Sequence, residues 1–251
     1  MTEKHSVMTE AQPFYFEGSS VGILISHGFT GSTQSMRPLG EAYAEAGYTV
    51  CGPRLKGHGT HYEDMEKTTY HDWIASIEEG YQWLNERCDT IFVTGLSMGG
   101  TLTLYVAETY PDIKAIIPIN AAIDIQDMEN MQHSNERFLD AIGSDLKNSD
   151  VKELAYDKTP VQSLKEIVLL MKKVKENLHT VTCPALIFVS TEDHVVPPDN
   201  SQIIYDSISS RDKQIIQLKN SYHVATLDND QQLIIDETLK FIDKILNKVN
   251  A

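Results

Sequence analysis

Residues 90–105 read TIFVTGLSMGGTLTLY, and this stretch decides the fold. Its first six residues are a short β-branched and aromatic run, as expected of a strand buried on both faces. Gly95, Leu96, Ser97, Met98 and Gly99 then form a GxSxG, after which the pattern becomes helical. A serine on a sharp turn from strand to helix is presented at the carboxyl edge of a sheet, and small residues at Gly95, Gly99 and Gly100 let strand and helix approach closely. The helix N-terminus also directs its amides at the place where an oxyanion would develop.

Outward from this turn the same alternation recurs. Strands are expected at 21–26 (VGILIS), 49–53, 90–95, 115–119 (AIIPI), 185–190 (ALIFVS) and 213–218 (KQIIQL), and helices at 35–46, 70–85, 97–108, 200–208 and 230–248. Strands alternating with helices specify an α/β fold: a mostly parallel sheet flanked by helices. Residues 122–182 break the rhythm. They contain no strand-like run, only two helical patterns separated by the polar GSDLKNSD at 143–150. So long an interval without structure is improbable in a compact domain, so a helical cap is expected there, dividing the core into residues 1–121 and 183–251. The second helix, 161–178, carries Leu164, Ile167, Val168, Leu169, Leu170, Met171, Val174 and Leu178, a stripe wider than one core contact requires. That stripe reads equally as a small helical core or as part of a pocket lining, with Met128, Met131 and Met171 as adaptable apolar surface.

The chain's 251 residues carry 21 basic and 36 acidic side chains, a net charge of -15, with 41% hydrophobic residues. This charge argues against a phosphate grip on nucleic acid and against an anionic membrane. No apolar run approaches the ~20 residues that span a bilayer, and MTEKHSV at the start leads into no apolar signal core, so stable membrane insertion and export are not expected. Cys51, Cys88 and Cys183 are odd in number and lack a CxxC pair, which fits reduced thiols in a cytoplasmic protein. His58 and His61 lie in a glycine-containing segment with no helical face for an HxxxH pair, so no metal site is expected. Glu63, Asp64 and Glu66 read as a solvated face.

A serine hydroxyl needs a base, and the base needs an acid to hold its tautomer. His194 and His223 directly follow strands. Asp193, in STEDHVVP after ALIFVS, is assigned as the acid and His223, in NSYHVA after KQIIQL, as the base; Glu192 and His194 are rivals within two residues. The first apolar strand runs into His27, Gly28, Phe29, Thr30 and Gly31, whose amides, that of Phe29 first, can face the carbonyl opposite the amide of Met98.

Together with HGFTGS, MRPLGEAYAEAGYTVCGPRLKGHGTHYEDME, GLSMGGTLTLY, PINAAID, SDLKNSDVKELAY, CPALIFVSTEDHVVPP and NSYHVATLD, these features resemble the α/β-hydrolases. More narrowly, nearly the whole chain resembles the bacterial monoacylglycerol lipases. The resemblance implies a triad of Ser97, Asp193 and His223, oxyanion donors at Phe29 and Met98, and a movable cap over an acyl tunnel. It further implies that Asn120 and Glu153 hold the glycerol hydroxyls, and Ile142 is assigned to the same substrate site. No cofactor is implied. The expected partner is a small lipid ester, with transient contact between cap and lipid aggregates. Two alternatives are a broad carboxylesterase for shorter esters and, outside catalysis, a small-molecule receptor on the same fold.

Overall fold

A computed structural model of the chain describes residues 2–141 and 143–249. In chain order the elements are β1 (Phe14–Phe16), β2 (Val21–Ser26), α1 (Arg37–Glu45), β3 (Thr49–Gly52), α2 (Tyr62–Met65), α3 (Tyr70–Asn85), β4 (Thr90–Leu96), α4 (Met98–Thr109) and β5 (Ala115–Ile119), followed by α5 (Gln126–Met131), β6 (Phe138–Asp140), β7 (Lys158–Pro160), α6 (Val161–Asn177), β8 (Ala185–Ser190), α7 (Asp199–Ser207), β9 (Lys213–Leu218) and α8 (Gln231–Val249). Seven strands form one sheet in the order β1-β3-β2-β4-β5-β8-β9. Six run parallel, and β1 pairs antiparallel with β3 at the edge.

The sheet is buried on both faces because each central strand sends alternate side chains into two cores. Leu24, Ile91 and Val93 pack with Trp73 and Ile77 of α3, Leu102 and Val106 of α4, and Ile167 and Leu170 of α6. Ile23, Ile25, Phe92 and Leu96 face the other way, onto Leu39 and Tyr43 of α1 and Ile234 and Ile242 of α8. That two-sided burial is the physical source of the unbroken apolar runs. The start of α3 is fixed by Asp72, whose Oδ2 accepts the Thr69 N–H at 2.9 Å and completes a capping box with the Thr69 side chain.

Between β5 and β8 the chain leaves the sheet. The expectation that 122–182 holds no strand is corrected: β6 and β7 pair antiparallel in a separate two-stranded sheet. Each is three residues long and neither alternates, so periodicity could not reveal them. α6 sends most of its stripe into the main core, while Leu169 is half exposed. The acidic run is corrected as well. Asp64 is buried, its carboxylate accepting the Lys4 and His5 N–H groups at 2.9 and 3.0 Å, and Glu66 forms a bidentate pair with Arg137. These partners are remote in sequence, which hid them. No helix among the described residues is long and apolar enough to cross a membrane.

Candidate active site

β4 delivers Ser97 to the carboxyl edge of the sheet at the first step into α4. Its backbone is forced into φ 58, ψ -120, a region that side chains larger than glycine rarely occupy. The bonds that hold it there come from the end of β5 and the residues after it: Ser97 N–H donates to Ile119 O at 3.0 Å, and Ser97 O accepts from Ala122 N at 3.2 Å. The turn is tight enough that a side chain at Gly95 would drive its Cβ into the carbonyl of Gly99. Ser97 lines a cavity together with Gly28, Phe29, His223 and residues of the inserted segment.

His223 stands on the loop after β9 and lines the same cavity. Its Nδ1 lies 2.8 Å from Asp193 Oδ2, and the carboxylate, which only accepts, sets the ring proton on Nδ1 and leaves the Nε2 lone pair free for a proton. Asp193 Oδ1 in turn accepts the Val195 and Val196 N–H groups at 2.9 and 2.8 Å, which fixes the carboxylate's orientation. Burial alone would depress His223, but the charge and hydrogen bond of Asp193, with Glu153 and Asp145 nearby, raise its pKa above the ordinary value. The rival residues face elsewhere. His194 pairs with Asp145 at 2.8 Å, and Glu192 with Lys147 at 3.0 Å.

The turn after β2 packs against Ser97: a Cβ on Gly28 would stand 3.2 Å from the Ser97 Cβ. His27 is buried, its Nδ1 3.0 Å from Gly28 O and its Nε2 accepting the Leu55 N–H at 3.2 Å. Those bonds make it a neutral Nδ1 donor, and burial holds its pKa down to about 4. In a trans peptide the carbonyl and the next N–H point in opposite directions, so anchoring Gly28 O also aims the Phe29 N–H. Met98, as the first residue of α4, has no carbonyl one turn earlier to take its N–H.

Glu153 reaches the cavity because the inserted segment runs along this turn. Tyr156 N–H donates to Thr30 O at 3.1 Å, Ser32 Oγ to Leu154 O at 3.1 Å, and Leu154 N–H to Gln34 Oε1 at 3.0 Å. Gly31 leaves room for the carboxylate: a Cβ there would stand 2.9 Å from Glu153 Oε1. Glu153 lines the cavity with no hydrogen-bond partner among the described residues, and burial raises its pKa against the pull of His223. The apolar lining includes Met128, Met131, Leu139 and Leu164.

Asn120 departs from its expected place at the head group. It is fully buried, and Nδ2 donates to Ser190 Oγ at 2.9 Å and to His223 O at 2.8 Å, while Oδ1 accepts the Ser190 N–H at 2.7 Å. Both amide hydrogens and one lone pair of its oxygen join β8 to the His223 loop, and it does not line the Ser97 cavity. Ile142 lies outside the described residues. Sequence reasoning missed Asp145, whose carboxylate accepts the N–H of both His194 and His223 at 3.1 Å. A lone aspartate in a polar stretch carried no signal of this.

Among the described residues, one group could attract a metal. His5, His61 and Glu63 bring one donor atom each within 4.8 Å of one another. Both histidines already use one ring nitrogen: His5 Nδ1 lies 3.0 Å from Asp64 Oδ2, and His61 Nδ1 accepts the Glu63 N–H at 3.2 Å as the cap of α2. None of the three lines the Ser97 cavity.

The Hydrolase_4 family model, described as "Serine aminopeptidase, S33", matches residues 20–230. The chain is 64% identical to a thermostable monoacylglycerol lipase of Bacillus sp. (strain H-257) over 247 residues, covering 97% of this chain and 99% of that protein. It is 32% identical to a carboxylesterase of Bacillus subtilis (strain 168), covering 93% and 97%. Among solved structures, that of the metagenome-derived lipolytic enzymes LipS and LipT aligns with a TM-score of 0.92 at 49% identity, covering 95% of this chain and 100% of that one. A monoacylglycerol lipase of Paleococcus ferrophilus shares the fold, with a TM-score of 0.78 at 17% identity over 93% and 98% of the two chains.

Proposed function

The chain belongs to the Hydrolase_4 family of serine hydrolases, and from that membership we propose that it cleaves the ester of monoacylglycerols to fatty acid and glycerol through an acyl-enzyme on Ser97. His223 takes the Ser97 hydroxyl proton on Nε2 as Oγ attacks the ester carbonyl carbon. The oxyanion that forms accepts from the amides of Phe29 and Met98. Collapse breaks the bond to the glycerol oxygen, which leaves with the proton held by His223. Water then attacks the acyl-enzyme, gives a proton to His223, and fatty acid departs as the proton returns to Ser97. Asp193 holds the ring tautomer and offsets the charge of the imidazolium.

The observation that carries the substrate assignment is the Glu153 carboxylate, an acceptor without a described partner in an otherwise largely apolar cavity beside Ser97 and His223. Glu153 is partly exposed where it faces the apolar wall, so a free glycerol hydroxyl can pair with it there, while a substrate without one leaves it to water alone. Di- and triacylglycerols have fewer or no free hydroxyls to offer. The segment 122–182 serves as the cap that brings Glu153 and the apolar wall over the nucleophile.

Competition between water and methanol tests the acyl-enzyme. With 1-lauroylglycerol and p-nitrophenyl laurate, a shared lauroyl-Ser97 intermediate gives one ratio of methyl laurate to laurate from both esters. Different ratios, or turnover retained by Ser97→Ala, would refute it.

A further inference from the structure

The inserted segment reaches both loops of the candidate triad at one carboxylate. Asp145 Oδ1 lies 2.8 Å from the ring Nδ1 of His194, and Oδ2 accepts the backbone N–H groups of His194 and His223, each at 3.1 Å. The main-chain oxygen of Asp145 takes the next amide, Val224, also at 3.1 Å. Two consecutive N–H groups of the base-bearing loop therefore end on this residue, as does the amide that follows Asp193. Among the loop's further bonds, Asn120 holds His223 O, Ser190 Oγ donates to Tyr222 O at 2.8 Å, and within the loop Asp228 Oδ2 accepts the Tyr222 N–H at 2.9 Å.

Leu139, Asp140, Ala141 and Gly143, a few residues before Asp145, line the Ser97 cavity. Beyond it, Lys147 N–H donates to Asp228 Oδ2 at 2.7 Å, and Lys147 Nζ pairs with Glu192 at 3.0 Å. One stretch of chain is thus cavity wall at one end and clamp on the acid and base loops at the other. The Asp145 side chain is only 13% exposed, so water competes weakly for its bonds.

We propose that Asp145 is a positioning residue for ester hydrolysis, a cap-borne carboxylate that sets the His223 imidazole against Asp193 and ties its placement to the seating of the cap. This rests on the reading of Ser97, Asp193 and His223 as the triad. Loss of the side chain releases the His223 amide of the loop that aims Nε2, together with the His194 amide and ring beside Asp193, and leaves only the Val224 bond to the Asp145 main chain; small misplacements of a reacting group cost large factors in rate. The charged groups facing His223 are Asp193 from the loop after β8 and Glu153 and Asp145 from the inserted segment. The Asp145–His194 pair, Asp228 and the Lys147–Glu192 pair lie around them. Removing the Asp145 charge withdraws one of the three residues that raise His223, so the acid limb of kcat/KM moves to lower pH.

The test is kcat, KM and the pH profile on p-nitrophenyl butyrate for wild type, Asp145→Ala and Asp145→Asn, with Ser97→Ala as reference. Asp145→Ala is expected to lose about tenfold to a hundredfold in kcat with KM little changed. Asp145→Asn keeps an oxygen for the amides, so it should recover most of kcat while both variants show the limb displaced to lower pH. Unchanged kcat with an unmoved limb would overturn the proposal, even if Tm fell. If Asp145→Ala does not fold, the limb of Asp145→Asn decides alone: displaced supports the proposal, unmoved overturns it. Turnover by Ser97→Ala would instead sink the triad reading, so the two failures are distinguishable.

Discussion

The His223 ring meets Asp193 Oδ2 at 2.8 Å, with the two side chains only 8% and 2% exposed. A hydrogen bond so shielded fixes the tautomer and keeps the carboxylate's charge close to the imidazole. Asp193→Asn keeps the shape but removes the obligate acceptor, so the ring can turn or change tautomer. The expected result is a loss of about 10⁴-fold in kcat on p-nitrophenyl butyrate with the fold intact by circular dichroism. A loss of tenfold or less would remove Asp193 from the acid's role.

Reference chemistry alone would put the rising limb of activity between about pH 6 and 7. The surroundings of His223 move that expectation upward, because its pKa is raised. The base works only when neutral, so the midpoint of kcat/KM should lie above 6.5. The sign for stability is opposite. A raised folded-state pKa contributes stability that is full below the unfolded pKa near 6.5 and lost as pH climbs through the folded value. A kcat/KM limb centred below 6 would contradict the assignment.

Glu153 and Gly31 should act as one specificity unit. Glu153→Leu is expected to cut kcat/KM on 1-lauroylglycerol by about tenfold to a hundredfold while sparing p-nitrophenyl butyrate. Gly31→Ala would bring a methyl 2.9 Å from Glu153 Oε1 and displace the carboxylate, so it should show the same split more weakly. Equal losses on both esters would remove Glu153 from the head-group role.

Away from the cavity, Glu108 of α4 carries a buried Oε1 without a hydrogen-bond partner, and burial raises its pKa to about 8 against the pull of Lys173 on α6. The folded chain then keeps a proton that the unfolded chain releases from about pH 4.5 upward. Stability should fall as pH rises toward 8 from this group's contribution. Glu108→Gln is expected to raise Tm by a few degrees at pH 8 and to leave it near wild type at pH 5. A gap that is equal at both pH values would refute the titration.

The sheet was legible because its strands, buried on both faces, are continuous apolar runs; residues 21–26, 115–119, 185–190 and 213–218 match the observed strands. Ser97 could be placed at the sheet edge because a strand, a GxSxG and a helical pattern follow one another. β1 was missed, being only three residues long, and so were β6 and β7. The roles of Asn120, Asp64 and Asp145 were hidden for a shared reason. Each bonds to backbone groups remote in the chain, and such bonds leave no periodicity to read. The assignment of Glu153 came from family resemblance; in the sequence it is an ordinary carboxylate, and only its path along residues 30–34 explains how it enters the cavity.

The most direct measurement of the central claim is kcat/KM on 1-lauroylglycerol, dilaurin and p-nitrophenyl butyrate for wild type and Ser97→Ala side by side. A monoacylglycerol hydrolase acting through Ser97 should strongly prefer 1-lauroylglycerol over dilaurin, and Ser97→Ala should be inactive on all three. If p-nitrophenyl butyrate is the best substrate and the glycerides are poor, the head-group argument is contradicted and the protein is a general esterase.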